Sequence, residues 1–150
     1  MEYVHVPKTD LARNTRRVLR EVQRGYTVVI ESHGQPEAAI VDIVDYRIQK
    51  AAILYFADPQ KYPDEVDYSD SALQALPDEQ ARYDFAIGHY LAVHISIGRL
   101  AEMLGISFVD LRMRLARLGV PQRTAPQTLE ELREDVQNAI MLEERARESK

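Results

Sequence analysis

Thr27-Val28-Val29-Ile30-Glu31-Ser32-His33-Gly34-Gln35-Pro36-Glu37-Ala38-Ala39-Ile40-Val41 reads as a strand, a tight turn and a second strand. Thr27 to Ile30 is rich in β-branched residues, and Ala38 to Val41 is its apolar partner. Gly34 supplies the positive φ at which the chain reverses, and Pro36 fixes the exit. Upstream, Val4-His5-Val6 reads as a short strand that joins the hairpin. An arginine-rich helical segment lies between them, and an apolar helix follows. The expected fold class is therefore α+β, with a three-stranded antiparallel sheet.

The arginine-rich helix is expected to start near Thr9-Asp10, both good N-caps, and to end before Gly25. At about 100° per residue, Leu11, Thr15, Val18, Leu19 and Val22 gather on one side. Arg13, Arg17, Arg20 and Arg24 form a stripe on the other, flanked by Arg16. Such a stripe can track a phosphate backbone, and Arg can fork onto a guanine edge. It also fits a plain solvated face. Residues 43–56 are apolar on more than one side, so that helix must be buried over most of its girth. A second copy of the domain could cover it, with Val44, Ile48, Ala51 and Tyr55 at the interface. The chain's own C-terminal half could do the same.

Leu11, Arg13-Asn14, Val18-Leu19, Val22, Gly25, Val28-Val29-Ile30, His33-Gly34, Pro36, Ala38, Ile40-Val41 and Asp45-Tyr46 carry a resemblance. Residues 9–46 are similar to the N-terminal domain of the Phd/YefM antitoxin family. Thr15 departs from it, since the family usually has an apolar residue after the Asn. The resemblance implies a dimer that binds operator DNA through the start of the first helix and the strand before it. His5, Lys8, Arg13, Asn14 and Arg17 are then the contact candidates, while Arg20 and Arg24 are only solvated.

A chain of 150 residues is one ordinary domain or two small ones. The net charge of −5 is unevenly spread. Residues 1–24 carry six Lys/Arg and three Asp/Glu, whereas residues 51–90 carry two and eight. Residues 91–123 carry five and two, and residues 124–150 carry four and seven. Two basic blocks that could meet phosphates are thus separated by an acidic one. Ala57 to Ser71 combines Pro59, Pro63, Tyr62 and Tyr68 with five carboxylates, Asp58, Asp64, Glu65, Asp67 and Asp70. It reads as an acidic linker, with 1–56, 57–76 and 77–150 as the domain plan. In antitoxins such a segment often wraps a basic toxin, which makes Tyr62, Asp64 and Tyr68 candidate toxin contacts. A solvated spacer fits the same composition.

The second half reads as helical. A helix is expected from about Pro77 to Val93, with Pro77 at a first-turn position and Asp78 and Glu79 favouring its start. Ser96 opens the next, Gly105 breaks it, and Ser107 caps a third with Asp110 as capping-box partner. Two short helices about a Gly turn suggest an all-α, helix-turn-helix-like domain. Phe108, Leu111, Leu115 and Leu118 are expected to face its core. Asp110, Met113, Arg114 and Arg117 are expected outside, with Arg114 and Arg117 placed for a major groove. Ile95-Ser96-Ile97-Gly98-Arg99-Leu100-Ala101-Glu102-Met103-Leu104-Gly105-Ile106-Ser107, then Leu118-Gly119-Val120-Pro121, carry a second resemblance. Residues 84–140 are similar to short prokaryotic proteins proposed as antitoxins and often encoded beside PIN-domain nucleases. That resemblance implies a PIN-domain ribonuclease as partner. In the tail, Thr128 and Glu131 make another capping box, and Leu129, Leu132, Val136, Ala139 and Ile140 form a stripe. The stripe fits internal packing, or a toxin-binding helix with Leu132, Val136 and Ile140 in contact.

Other classes find little support. The chain has no Cys, which removes disulfides, thiolate zinc sites and thiol nucleophiles. His89 and His94 are five apart and do not stack on one helical face, so neither a metal site nor another cofactor is expected. No glycine-rich phosphate loop is present, and the carboxylates lack an apolar setting that would tune them for catalysis. No stretch approaches the roughly 18 apolar residues of a membrane span, and Met1 to His5 does not resemble an export signal. The expectation is a cytoplasmic, non-enzymatic, homodimeric antitoxin with operator DNA and a toxin as partners. A dimeric transcriptional regulator without a toxin is the rival, and an adaptor that has lost DNA binding is a third possibility.

Overall fold

The computed structural model describes residues 2–122 and 129–148, with side chains except at 129–132 and 135. The chain divides into two compact units, Met1–Tyr46 and Arg47–Lys150. The first runs β1 (Tyr3–Pro7), α1 (Lys8–Arg13), α2 (Thr15–Gln23), β2 (Thr27–Ser32), β3 (Gln35–Ile40) and the start of α3 (Ile43–Ala57). The second holds the rest of α3, a 3-10 turn (Pro59–Lys61), α4 (Asp70–Gln74), α5 (Glu79–Leu91), α6 (Ile97–Leu104), α7 (Phe108–Leu118) and α8 (Leu129–Glu148). The expected boundary at residue 56 lies inside α3. No helix among the described residues is long and apolar enough to cross a membrane.

The fold is α+β, but the sheet is mixed rather than antiparallel. Its order is β1-β2-β3, with β2 and β3 antiparallel and β1 parallel to β2. The connection explains the direction. A helical crossover, α1 and α2, joins β1 to β2, and a crossover returns the chain to run alongside its start. The hairpin behaves as its turn residues require. Ser32 pairs with Gln35, and His33 (φ 52°) and Gly34 (φ 73°) form a two-residue turn with both central φ values positive. A bulge leaves Glu37 unpaired between Pro36 and Ala38, and Pro36 sits on an edge strand, where its missing N–H removes no ladder bond.

The core of the first unit is Val6, Val18, Val22, Val28 and Ile30, with Val4, Leu11 and Ile40 packed against it. The helices thus cover one face of the sheet. The register puts Tyr3, His5, Val29 and Ala39 on the other, where Tyr3 is 59% exposed. The expected single first helix is broken at Asn14 (φ −131°, ψ 47°). Thr15 repairs the break, because its hydroxyl donates to the Leu11 carbonyl at 2.7 Å. That is the physical account of a polar residue at this position.

In the second unit, side-chain caps start four helices. Ser69, Asp78, Ser96 and Ser107 accept from the backbone N–H of Ala72, Ala81, Arg99 and Asp110, at 3.3, 2.8, 3.0 and 3.2 Å. Gly105 and Gly119 end α6 and α7 in the left-handed conformation. Tyr83, Ile87, Tyr90, Leu100, Leu104, Leu111 and Leu115 are buried. Thr128, the expected cap of the last helix, lies outside the described residues. Glu134 of α8 bonds Ser96 Oγ, and Asn138 lies against Gly98 of α6.

Candidate functional site

The first unit gathers its cations where β1 turns into the helices. His5, Lys8, Arg13, Asn14 and Arg17 are all exposed, as are Arg16, Arg20 and Arg24. Three of the five expected DNA contacts already meet carboxylates. His5 Nδ1 lies 2.6 Å from Glu31, Lys8 Nζ 3.0 Å from Glu37, and an Arg17 Nη 3.7 Å from Asp10. Among the described residues, no ion pair holds Arg13, Arg16 or Arg20. Exposed pairs of this kind are worth about 1 kcal/mol or less, so a phosphate could displace the carboxylates cheaply. The break at Asn14 interrupts the expected continuous stripe, so Arg13 belongs to one helix and Arg17 to the next.

The α3 residues expected at an interface lie toward the chain's own interior. Ile48 and Ala51 are fully covered by the chain's own atoms, and Val44 and Tyr55 are half-buried. These four share the inward face. The exposed apolar residues lie elsewhere on the helix: Ile43, Tyr46, Ile53 (70% exposed), Leu54 and Phe56 (58%). A helix apolar on most sides offers no contrast from which the covered face could be chosen, hence the difference.

Helix α7 corrects a second expectation. Leu111 and Leu115 are buried as read, but Phe108 and Leu118 are only half-buried. Arg114 does not project outward. Its side chain is 17% exposed, and Nε donates to Asp110 Oδ2 at 3.1 Å. Asp110 therefore serves Arg114 instead of completing the capping box. Arg117 is half-buried as well. The outer crest is Val109, Met113 and Ala116, which is apolar. On α8, Val136 and Ile140 are half exposed, while Leu132 lies outside the residues whose side chains are described. A groove of about 840 Å³ runs between α6, the start of α7 and α8, with Arg99, Glu102, Phe108, Asn138 and Met141 on its walls.

The segment read as a linker does not stand free. Tyr62 packs on Gly88 in the middle of α5, so closely that a Cβ there would overlap its ring. The ring also meets Tyr55 and His89, with centroids 5.5 and 5.4 Å apart. Tyr68 Oη lies 3.1 Å from His89 Nδ1. His94 Nδ1 lies 3.1 Å from the same atom, and His94 Nε2 lies 2.6 Å from Asp64. Arg99 of α6 donates to the Tyr68 carbonyl at 2.6 Å and pairs with Glu102 at 2.9 Å. All three toxin-contact candidates in this segment, Tyr62, Asp64 and Tyr68, thus touch α5, α6 or the turn after α5.

Electrostatics follow from the packing. His89 is 3% exposed, and burial, helped by the neighbouring His94, lowers its pKa from 6.5 to about 4. Burial raises the Tyr62 and Tyr68 phenols, with Asp84 and Asp58 adding to the first and Asp64 to the second. On a continuous helix a five-residue spacing would keep the two histidines apart, so the pair is not legible in the sequence. The helix ends at Leu91, and Val93, at φ 69°, turns His94 back onto His89. The His94 N–H also donates to the His89 carbonyl at 2.9 Å. Gly88, in mid-helix, was the one available signal of a close approach. Among the described residues, no group of three or more His, Asp or Glu side chains is placed to hold a metal ion.

Comparison of the chain with protein-family models, with curated proteins and with solved structures gives no match.

Proposed function

We propose that this chain is a dimeric, cytoplasmic, Phd/YefM-like antitoxin of a type II toxin–antitoxin pair, which represses its own operon and neutralises its toxin by direct binding. The observation that carries the DNA-binding half is the exposed cation cluster at the β1–α1–α2 turn. There Arg13, Arg16 and Arg20 have no carboxylate partner among the described residues. Bare guanidinium groups beside a rigid sheet suit phosphate contacts, which position a protein on a duplex. The resemblance of residues 9–46 supports the same reading. A second copy docks on the outer face of α3, through Ile43, Tyr46, Ile53 and Phe56, and so doubles the cation cluster for a palindromic operator. Operator contact is assigned to the first unit, because α7 presents Val109 and Met113 rather than Arg114 and Arg117. The second unit is assigned to the toxin, with Val136 and Ile140 of α8 as apolar contacts.

The test is binding of the chain to its own promoter DNA across a salt series. Arg13→Ala is expected to weaken binding about tenfold and to flatten the salt slope by about one. Binding as tight as the parent's at every salt concentration would remove the assignment.

One observation favours the toxin-free regulator. Tyr62, Asp64 and Tyr68 are engaged within their own chain. Purification from native cells separates the two readings. A stoichiometric small basic protein from the adjacent gene establishes the antitoxin, and its absence with DNA retained establishes the regulator.

A further inference from the structure

We infer that residues 58–69 form an acid-released latch. It is a strap clasped to α5 by the Tyr62–Gly88 contact and by the chain Tyr68–His89–His94–Asp64, which a second proton on the histidine pair opens.

The argument starts from the Nδ1–Nδ1 contact of 3.1 Å between His89 and His94. Two imidazole nitrogens at that distance hold one proton between them, with one donating and the other accepting. A first positive charge on the pair has a place, because His94 Nε2 faces the Asp64 carboxylate. A second proton does not. It sets N–H against N–H and puts a cation on His89, whose ring is enclosed by Tyr62, Tyr68, Phe85 and His94. The strap supplies Tyr62, Tyr68 and Asp64 to this cluster. Helix α5 adds Asp84, on the Tyr62 side. Helix α6 adds Arg99, which is already committed to the Tyr68 carbonyl and to Glu102. No carboxylate among these is in contact with the His89 ring. The depressed pKa of His89 agrees with that count of neighbours.

The strap is also the part of the cluster best able to leave. It is short of regular structure, carrying one 3-10 turn, and Asp64 is 90% exposed. Helix α5 keeps its own backbone bonds when the strap goes. Release frees two tyrosines and four carboxylates, and uncovers Gly88, Phe85 and His89. What the freed strap then binds rests on the proposed antitoxin reading, whereas the latch itself does not.

The chain has no Cys, so Glu65→Cys carries a single nitroxide label on the exposed side of the strap. Its spectrum is followed from pH 7 to pH 4, with helix content read by circular dichroism in the same samples. Loss of the immobilised component between pH 6.5 and 4, with helices intact, is expected. His89→Phe, which keeps a ring but no proton site, is expected to abolish the release step between pH 6.5 and 4. Gly88→Ala strengthens α5 as a helix but excludes the Tyr62 ring, so it is expected to free the label already at pH 7. An unchanged spectrum down to pH 4 overturns the latch. So does release at the parent's midpoint in His89→Phe, release only as the helices melt, or an immobilised label in Gly88→Ala at pH 7. No toxin or DNA enters the assay, so failure here leaves the antitoxin reading standing, and a missing toxin leaves the latch standing.

Discussion

His89 shows how much a single residue owes to its surroundings. In the sequence it is an imidazole on an amphipathic helix. In the structure it is enclosed by three aromatic rings and a second imidazole, and its pKa falls from 6.5 to about 4. The unfolded chain therefore takes up the proton first. The contribution of His89 to stability is full above pH 6.5, declines as the pH falls toward 4, and levels off below that. The loss is expected to reach up to about 3 kcal/mol. Urea unfolding at pH 7 and pH 4.5 measures it. His89→Phe should lose less over that interval, and an equal loss would assign the acid sensitivity to other groups. Val93 was equally hidden. A β-branched residue at φ 69° is rare, and no local pattern announces it. His33 and Gly34, by contrast, were readable as a turn, because a two-residue hairpin needs positive φ at its centre.

At the scale of elements, the two glycines within helices separate two kinds of information. Gly88 and Gly98 both weaken a helix on propensity grounds. At Gly88 an added Cβ would run into the ring of Tyr62, which is hemmed in by Tyr55 and His89. At Gly98 it would meet the terminal amide of Asn138, which can rotate away. Gly98→Ala is therefore expected to stabilise the protein by up to about 1 kcal/mol in urea unfolding. Destabilisation instead would mean that the α6–α8 approach needs the bare backbone. The helix limits set by Asp78, Ser96, Ser107, Gly105 and Gly119 were all readable, since capping involves residues three or four apart. The direction of β1 was open to inference too, because a helical crossover implies a parallel neighbour.

At the scale of the molecule, the uncovered apolar surface of α3 is the feature most in need of a partner. Two substitutions on this helix test which face does what. Ile48→Ala removes fully buried methylene groups and is expected to cost about 2–5 kcal/mol of stability. Ile53→Lys changes a side chain that is 70% exposed and should leave stability within about 0.5 kcal/mol. It is expected to abolish self-association in sedimentation. A variant that still dimerises at the parent's concentration moves the interface off α3.

The sequence by itself determined what near neighbours decide: the hairpin and its turn, the caps and stops of the helices, the α+β class and the separation of basic from acidic blocks. These rest on interactions within a few residues, where steric and hydrogen-bonding rules act without knowledge of the rest. Only the tertiary structure decided which side of α3 is covered and that the acidic segment is a strap on α5. It alone also showed that Arg114 pairs with Asp110 and that His94 returns to His89. Each of these depends on which surface meets which, and a helix with apolar residues all round, or an imidazole beyond a helix end, is compatible with several answers. Burial and contact between distant segments choose among them.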